Sequence, residues 1–377
     1  MGIEINTGKR AVTPFRFDNV GSFLRPKKLK QARASFAEGT LSKEELKRIE
    51  DECIIDLIQK QKDVGLQVIT DGEFRRSWWH LDFMWGLNGV SKETIEQGYK
   101  FHDEETRPET ARLTGRISGE NHPFVDHFSF IQQYAEDGVI ARQTIPAPAQ
   151  FLAELQRPEN IDATKEIYPD IEVLITDIAK GYQTVIKDLY AAGCRSIQLD
   201  DCTWGMIVDK NYWKARQDTE TVEGIGELYL RVNNLSIENV PEDLIVTTHV
   251  CRGNYHSTWA SSGGYDPIAS ILFEKENVSA YYLEYDTDRA GDFSPLAHVG
   301  NEKSVVLGLF SSKTGELEDK EKIKARIEEA AKYVDKDHLC ISPQCGFAST
   351  EEGNILTEEQ QWNKLRLIKE VADEVWG

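Results

Sequence analysis

The sequence predicts an α/β protein: a single parallel (β/α)8 barrel of the TIM type, with a hairpin inserted between its second and third units. Two patterns carry the prediction. Apolar runs of strand length recur eight times, and stretches of helical period separate them. That alternation is what a parallel sheet covered by crossover helices requires. A chain of 377 residues is long for one compact domain and ordinary for such a barrel.

In order, the strands fall at residues 17–22, 66–71, 139–145, 196–200, 244–249, 278–284, 304–310 and 337–342. The run Leu244-Ile245-Val246-Thr247-Thr248 reads as a buried strand. Between the strands, residues 42–62 form a helix that opens with Ser42 and Glu45 in capping-box spacing. Residues 168–190 form a long helix with Gly193 as its stop signal, and 319–333 an amphipathic one. The insertion occupies about 97–130, where residues 112–127 read as a hairpin turning at Gly119-Glu120-Asn121. With no internal repeat and no low-complexity linker, one domain over 1–377 is expected.

Composition narrows the function classes. Lys and Arg number 44 against 64 Asp and Glu, a net charge of −20, which repels nucleic acid and anionic membrane. No run of 18 apolar residues offers a membrane span. Residues 1–10 carry no apolar signal core, and Asn6 stands where a myristoylation signal has Ser or Thr. Cysteines at 53, 194, 202, 251, 340 and 345 have no disulfide-framework spacing, so a reducing, cytoplasmic setting is expected.

Barrel chemistry sits at the C-terminal ends of the strands. Strand one ends at Gly21-Ser22, strand two at Asp71-Gly72-Glu73, and strand four at Asp200-Asp201. Strand five ends in His249-Val250-Cys251, whose first and third side chains leave the strand on one side. Strand six ends in Glu284, strand seven runs into Ser311-Ser312-Lys313, and strand eight into Pro343-Gln344-Cys345-Gly346. His249, Cys251, Glu284 and Cys345 thus place one imidazole, two thiols and one carboxylate on one rim, a set that suits zinc. Cys53, Cys194 and Cys340 read as structural, and Cys202 stays open. With zinc the set keeps one net negative charge. That favours activating a bound thiol as a nucleophile over activating water. A closed, purely bracing zinc is the non-enzymatic alternative.

These residues resemble the catalytic C-terminal barrel of cobalamin-independent methionine synthases, in short, single-barrel form. The likeness runs through most of the chain: Asn19-Val20-Gly21-Ser22-Phe23, Asp71-Gly72-Glu73-Phe74-Arg75, Ile197 to Asp201, His249-Val250-Cys251, Leu283-Glu284, Gly308 to Lys313 and Pro343 to Phe347. It implies methyl transfer from a methylated folate to homocysteine, giving methionine. His249, Cys251, Glu284 and Cys345 would hold zinc. Gly21 and Ser22 would grip the amino acid's carboxylate, and Glu73 and Asp200 its ammonium group. Rim salt bridges from Glu73 and Asp200 to Arg75 or Arg76 are the bland alternative. The departures lie on the donor side. The family's Asp-Glu-Pro is here Asp200-Asp201-Cys202, its proton-donating histidine aligns with Lys313, its folate-side tryptophan aligns with Phe151, and the N-terminal barrel of the longer enzymes has no counterpart. Another donor, such as a methylated corrinoid protein, or another thiol stays open. The Trp-rich run 75–85 is either a donor platform over the barrel mouth or a packing or homo-oligomer contact.

Overall fold

The computed structural model describes residues 13–214 and 220–377. In chain order the strands are β1 (Val68–Ile69), β2 (Asn88–Thr94), β3 (Glu109–Ser118), β4 (Ile140–Ala141), β5 (Gln143–Pro146), β6 (Ser196–Asp201), β7 (Ile245–Val250), β8 (Ala280–Glu284), β9 (Ser304–Phe310) and β10 (Leu339–Pro343). β5 to β10 lie side by side, in sequence order, in one parallel sheet. β6, β8, β9 and β10 are buried along their whole length, as a sheet covered on both faces demands.

The first two predicted strands are much reduced. β1 pairs with β4, and Arg142 separates β4 from β5. Phe17 makes a single parallel bridge to Ile341 of β10. Side chains rather than a backbone ladder join these two segments: Asn19 Nδ2 donates to the Val68 carbonyl at 3.4 Å and Thr70 Oγ1 to the Gly21 carbonyl at 2.6 Å. The cause is local. The Asp18 carboxylate accepts from the Phe15 amide at 3.0 Å and the Asn19 amide at 2.7 Å, which competes with sheet pairing. Asp18 also holds buried Arg142 at 2.9 Å, fixing the start of the first unit to the third.

Predicted helices begin where their caps put them. Ser42 caps Lys43–Asp63 with the full capping box to Glu45. Asp170 caps Ile171–Ala191 and Asp319 caps Lys320–Ala330, so both start later than apolar periodicity indicates. Each turns an apolar stripe inward, for instance Ile175, Ile178, Tyr182 and Val185.

The antiparallel pair is displaced from its predicted position. β2 pairs with β3, and residues 95–108 connect them. The Gly119-Glu120-Asn121 segment is no hairpin turn; it leads into the helix Pro123–Gln132, whose N-cap is the His122 imidazole, accepting from the Phe124 amide at 3.2 Å. Pro123 at the first helical position lacks only a donor that the helix would leave unused. Among the described residues, no helix is long and apolar enough to cross a membrane.

Candidate active site

Parallel register brings the rim together. His249 on β7 lies opposite Asp200 on β6 and Tyr282 on β8, and Glu284 closes β8 opposite Gly308. Cys251 follows β7 on the same side as His249, and Cys345 follows β10. One ligand atom from each of His249, Cys251, Glu284 and Cys345 lies within 4.8 Å of all the others, and all four residues are buried. The two sulfurs are 3.7 Å apart. His249 Nδ1 faces the Tyr282 carbonyl at 3.3 Å, while its Nε2 is buried without a partner. An orphaned imidazole nitrogen beside two thiols and a carboxylate is what a thiophilic cation would complete.

The electrostatics agree. Both thiols are held well above the usual thiol range, Cys345 by its contact with Cys251 and by burial, and Cys251 by its contact with Cys202 and by burial. A bound cation would reverse that, because thiolate is the ligand form. Burial pushes the His249 imidazole down, but Cys345 and Glu284 outweigh it and the net shift is upward. Glu284 Oε1 accepts from the Arg252 amide at 2.8 Å, and its Oε2 has Arg289 at 3.4 Å and Lys313 Nζ at 3.9 Å.

The cluster opens onto a cavity of about 640 Å³ lined by His249, Cys251, Cys345, Glu73, Asp200 and Ser22. Glu73 is buried at a left-handed φ of 63° behind Gly72, a conformation that costs a non-glycine residue about 1–3 kcal/mol. Its Oε1 accepts from Thr144 at 3.1 Å and pairs with Arg76 at 3.3 Å; its Oε2 has no partner. Burial raises its pKa. Asp200 is raised well above the carboxylate range by burial and by Glu73. Two buried carboxylates that repel each other on one cavity wall favour a cation between them. The rim pairing weighed against this role exists for Arg76 alone, since Arg75 is taken by Glu50 and Asp51.

Other predicted residues fall elsewhere. Gly21 sits at φ 133°, immediately before Ser22. Lys313 is buried beside Glu284 and is not part of the cavity wall. Phe151 is fully buried in the main hydrophobic core; its neighbours Gln150 and Ala153 face the cavity instead. Cys202 lines the cavity near Cys251, whereas Cys53, Cys194 and Cys340 are buried away from it. Sequence reasoning missed a further part of the cavity lining, formed by Tyr99, Glu154 and Arg157 around His80. Only the aromatic density of 75–85 signalled it; Tyr99 arrives on the β2–β3 connection.

Comparison with known proteins follows the same outline. The family model described as "Cobalamin-independent synthase, Catalytic domain" matches residues 15–119 and 169–374. The uncharacterized protein YxjH of Bacillus subtilis is 44% identical across 98% of this chain and 97% of its own length. A methionine synthase of Saccharolobus solfataricus is 23% identical over 87% of this chain and 86% of its own. The crystal structure of a candidate vitamin-B12 independent methionine synthase from Listeria monocytogenes superposes with a TM-score of 0.76 at 37% identity, covering 98% of this chain and 100% of that one. The chain belongs to the cobalamin-independent methionine synthase family.

Proposed function

We propose that this chain, on a closed eight-unit barrel, is a zinc-dependent methyltransferase that methylates homocysteine from a 5-methyltetrahydrofolate-type donor, giving methionine. The observation that carries the reading is the shared cavity: the His249, Cys251, Cys345 face of the ligand set opens onto the space that Glu73, Asp200 and Ser22 also line. A bracing metal has no need of a cavity beside it.

Bound by His249, Cys251, Glu284 and Cys345, zinc supplies a Lewis acid that lowers the pKa of an incoming thiol and leaves its sulfur nucleophilic. The protein's own groups do the positioning. Glu73 and Asp200 take the ammonium group of the amino acid, whose charge offsets the upward shift that burial imposes on both and that Glu73 adds to Asp200. Gly21 and Ser22, beside Glu73 on the neighbouring segment, hold the carboxylate. The reaction forms a sulfur–carbon bond and breaks a nitrogen–carbon bond, and the departing nitrogen takes a proton. Lys313, buried with its Nζ 3.9 Å from Glu284 Oε2, lends that carboxylate a neighbouring positive charge.

A methylated corrinoid as the methyl donor is the second reading. It draws on the core position of Phe151, which leaves the residue aligned with the family's folate-side tryptophan away from the cavity. The test is direct. Zinc-loaded protein is given homocysteine with 5-methyltetrahydrofolate or with methylcobalamin, and methionine is quantified. Methionine from the folate supports the first reading, methionine from the corrinoid alone supports the second, and none from either overturns both.

A further inference from the structure

The cavity that the metal-type cluster opens onto is also lined by a polar chain that the proposed chemistry leaves unused. Glu154 is buried and held by Thr110, by Asn160 Nδ2 at 3.5 Å and by Arg157 at 3.3 Å. Tyr99 donates its hydroxyl proton to Glu154 Oε2 at 2.9 Å. Arg157 lies over the Tyr99 ring, 4.3 Å from its centroid. The Tyr99 oxygen, its proton committed, meets His80 Nε2 at 3.2 Å. His80 must donate there, which assigns the proton to Nε2 and leaves Nδ1 a bare lone pair. Burial pushes the imidazole down to about 3, so the ring is neutral and has one tautomer to choose. Nδ1 is buried with no partner, in a residue only 4% exposed. Leaving such an acceptor unmatched is costly.

The chain is also rigidly tied to the metal-type cluster. Trp78 bridges Thr350, and the Trp79 amide donates to Ser349 at 2.8 Å, four residues after Cys345. Trp79 packs against the His80 ring at 4.5 Å between centroids, tilted by 31°, and lines the same cavity.

We infer that His80 is a recognition residue for the methyl donor, accepting at Nδ1 a hydrogen bond from an N–H or O–H group on a planar donor ring, with Tyr99 and Glu154 fixing its tautomer. This rests on the methyltransferase reading and adds a residue that selects the donor. Donors without such a group, however readily they give up a methyl, lose this contact.

The experiment measures binding of 5-methyltetrahydrofolate to zinc-loaded protein by quenching of tryptophan fluorescence, alongside turnover with homocysteine and nitrogen-15 NMR of His80. The wild type is expected to show the Nε2–H tautomer. His80→Phe, which keeps a ring and removes the lone pair, is expected to weaken folate binding at least tenfold while homocysteine binding and zinc content stay unchanged. Tyr99→Phe, which frees the tautomer, is expected to weaken folate binding less and to bring Nδ1–H into the spectrum. Unchanged affinity in a folded His80→Phe, an Nδ1–H tautomer in the wild type, or no folate binding by the wild type overturns the inference. Folate that binds the wild type through His80 without methyl transfer sinks the folate-donor reading and, with it, the assignment of His80 to the methyl donor, whereas methyl transfer from folate that His80→Phe leaves unchanged overturns the inference alone.

Discussion

Replacing Gly346 by alanine tests the acceptor side of the site with a single methyl group. An added Cβ would lie 1.9 Å from Ser22 Oγ and 3.0 Å from Ser22 Cβ. Gly346 is not at a left-handed φ, so the cost is steric rather than conformational. Its backbone has little freedom to retreat, because its carbonyl accepts from Asn254 at 2.7 Å and from Ser312 at 2.9 Å. Ser22 must move instead, by roughly 1.5 Å to reach ordinary contact, which sacrifices its bond from the Ala348 amide at 3.3 Å. Overpacking of this kind costs about 1–3 kcal/mol of stability. Misplacing a positioning group by about 1 Å costs on the order of 100-fold in rate. Gly346→Ala is therefore expected to lower kcat/KM for homocysteine by about 100-fold, with metal content unchanged. Steady-state kinetics, metal analysis by plasma spectrometry and thermal unfolding give the three readouts. Adding Ser22→Ala should restore stability without restoring acceptor affinity. A Gly346→Ala enzyme with wild-type kcat/KM would refute the role of Ser22.

Further outcomes follow from the same geometry. Cys251→Ser and Cys345→Ser should each lose zinc on dialysis and lose transfer with it; stoichiometric zinc in both variants would undo the ligand assignment. Glu73→Gln and Asp200→Asn should raise KM for homocysteine with zinc retained, and normal acceptor kinetics in both would remove the ammonium pocket. Lys313→Arg should keep kcat within a few-fold, since arginine can hold Glu284 but does not release a proton; a collapse of kcat with substrate binding intact would make Lys313 the proton donor. Glu276 is a stability prediction. Burial and then Asp201 raise its pKa from 4.5 to about 8. The unfolded chain ionises first, so this group progressively destabilises the fold as pH rises from about 4.5 to about 8. Glu276→Gln should add about 3 kcal/mol at pH 7, and nothing at pH 4, in denaturant unfolding; an equal effect at both pH values would show that the gain is not electrostatic.

Local chemistry made much of this protein legible before folding. The capping box at Ser42 is written in two side chains three residues apart, and Lys43–Asp63 begins where they say. The apolar run 304–310 is β9 residue for residue. His249 and Cys251 share a direction because strand side chains alternate, and the barrel rule puts strand ends together, so four ligand types could be read from one sequence. What failed did so where side-chain hydrogen bonds and helix caps override the hydrophobic pattern. Asp18 turns its carboxylate onto nearby amides and Arg142, and the first strand shrinks to a bridge at Phe17. The partner of β3 is Asn88–Thr94 rather than a neighbour across Gly119, because His122 and Pro123 start a helix there.

The sequence by itself determined the His249, Cys251, Glu284 and Cys345 cluster and the parallel order of the strands β5 to β10, because both depend on residue type and near-neighbour periodicity. Only the tertiary structure decided which side chains share the cavity. Phe151 and Gln150 are adjacent in the chain, yet the helix turns the first into the core and the second toward the cavity. Lys313 follows its strand on the same rim but lies buried 3.9 Å from Glu284, off the cavity wall. Tyr99 and Glu154, 55 residues apart, meet at 2.9 Å to fix His80. Burial and long-range packing set these outcomes, and neither is encoded in any short stretch of residues.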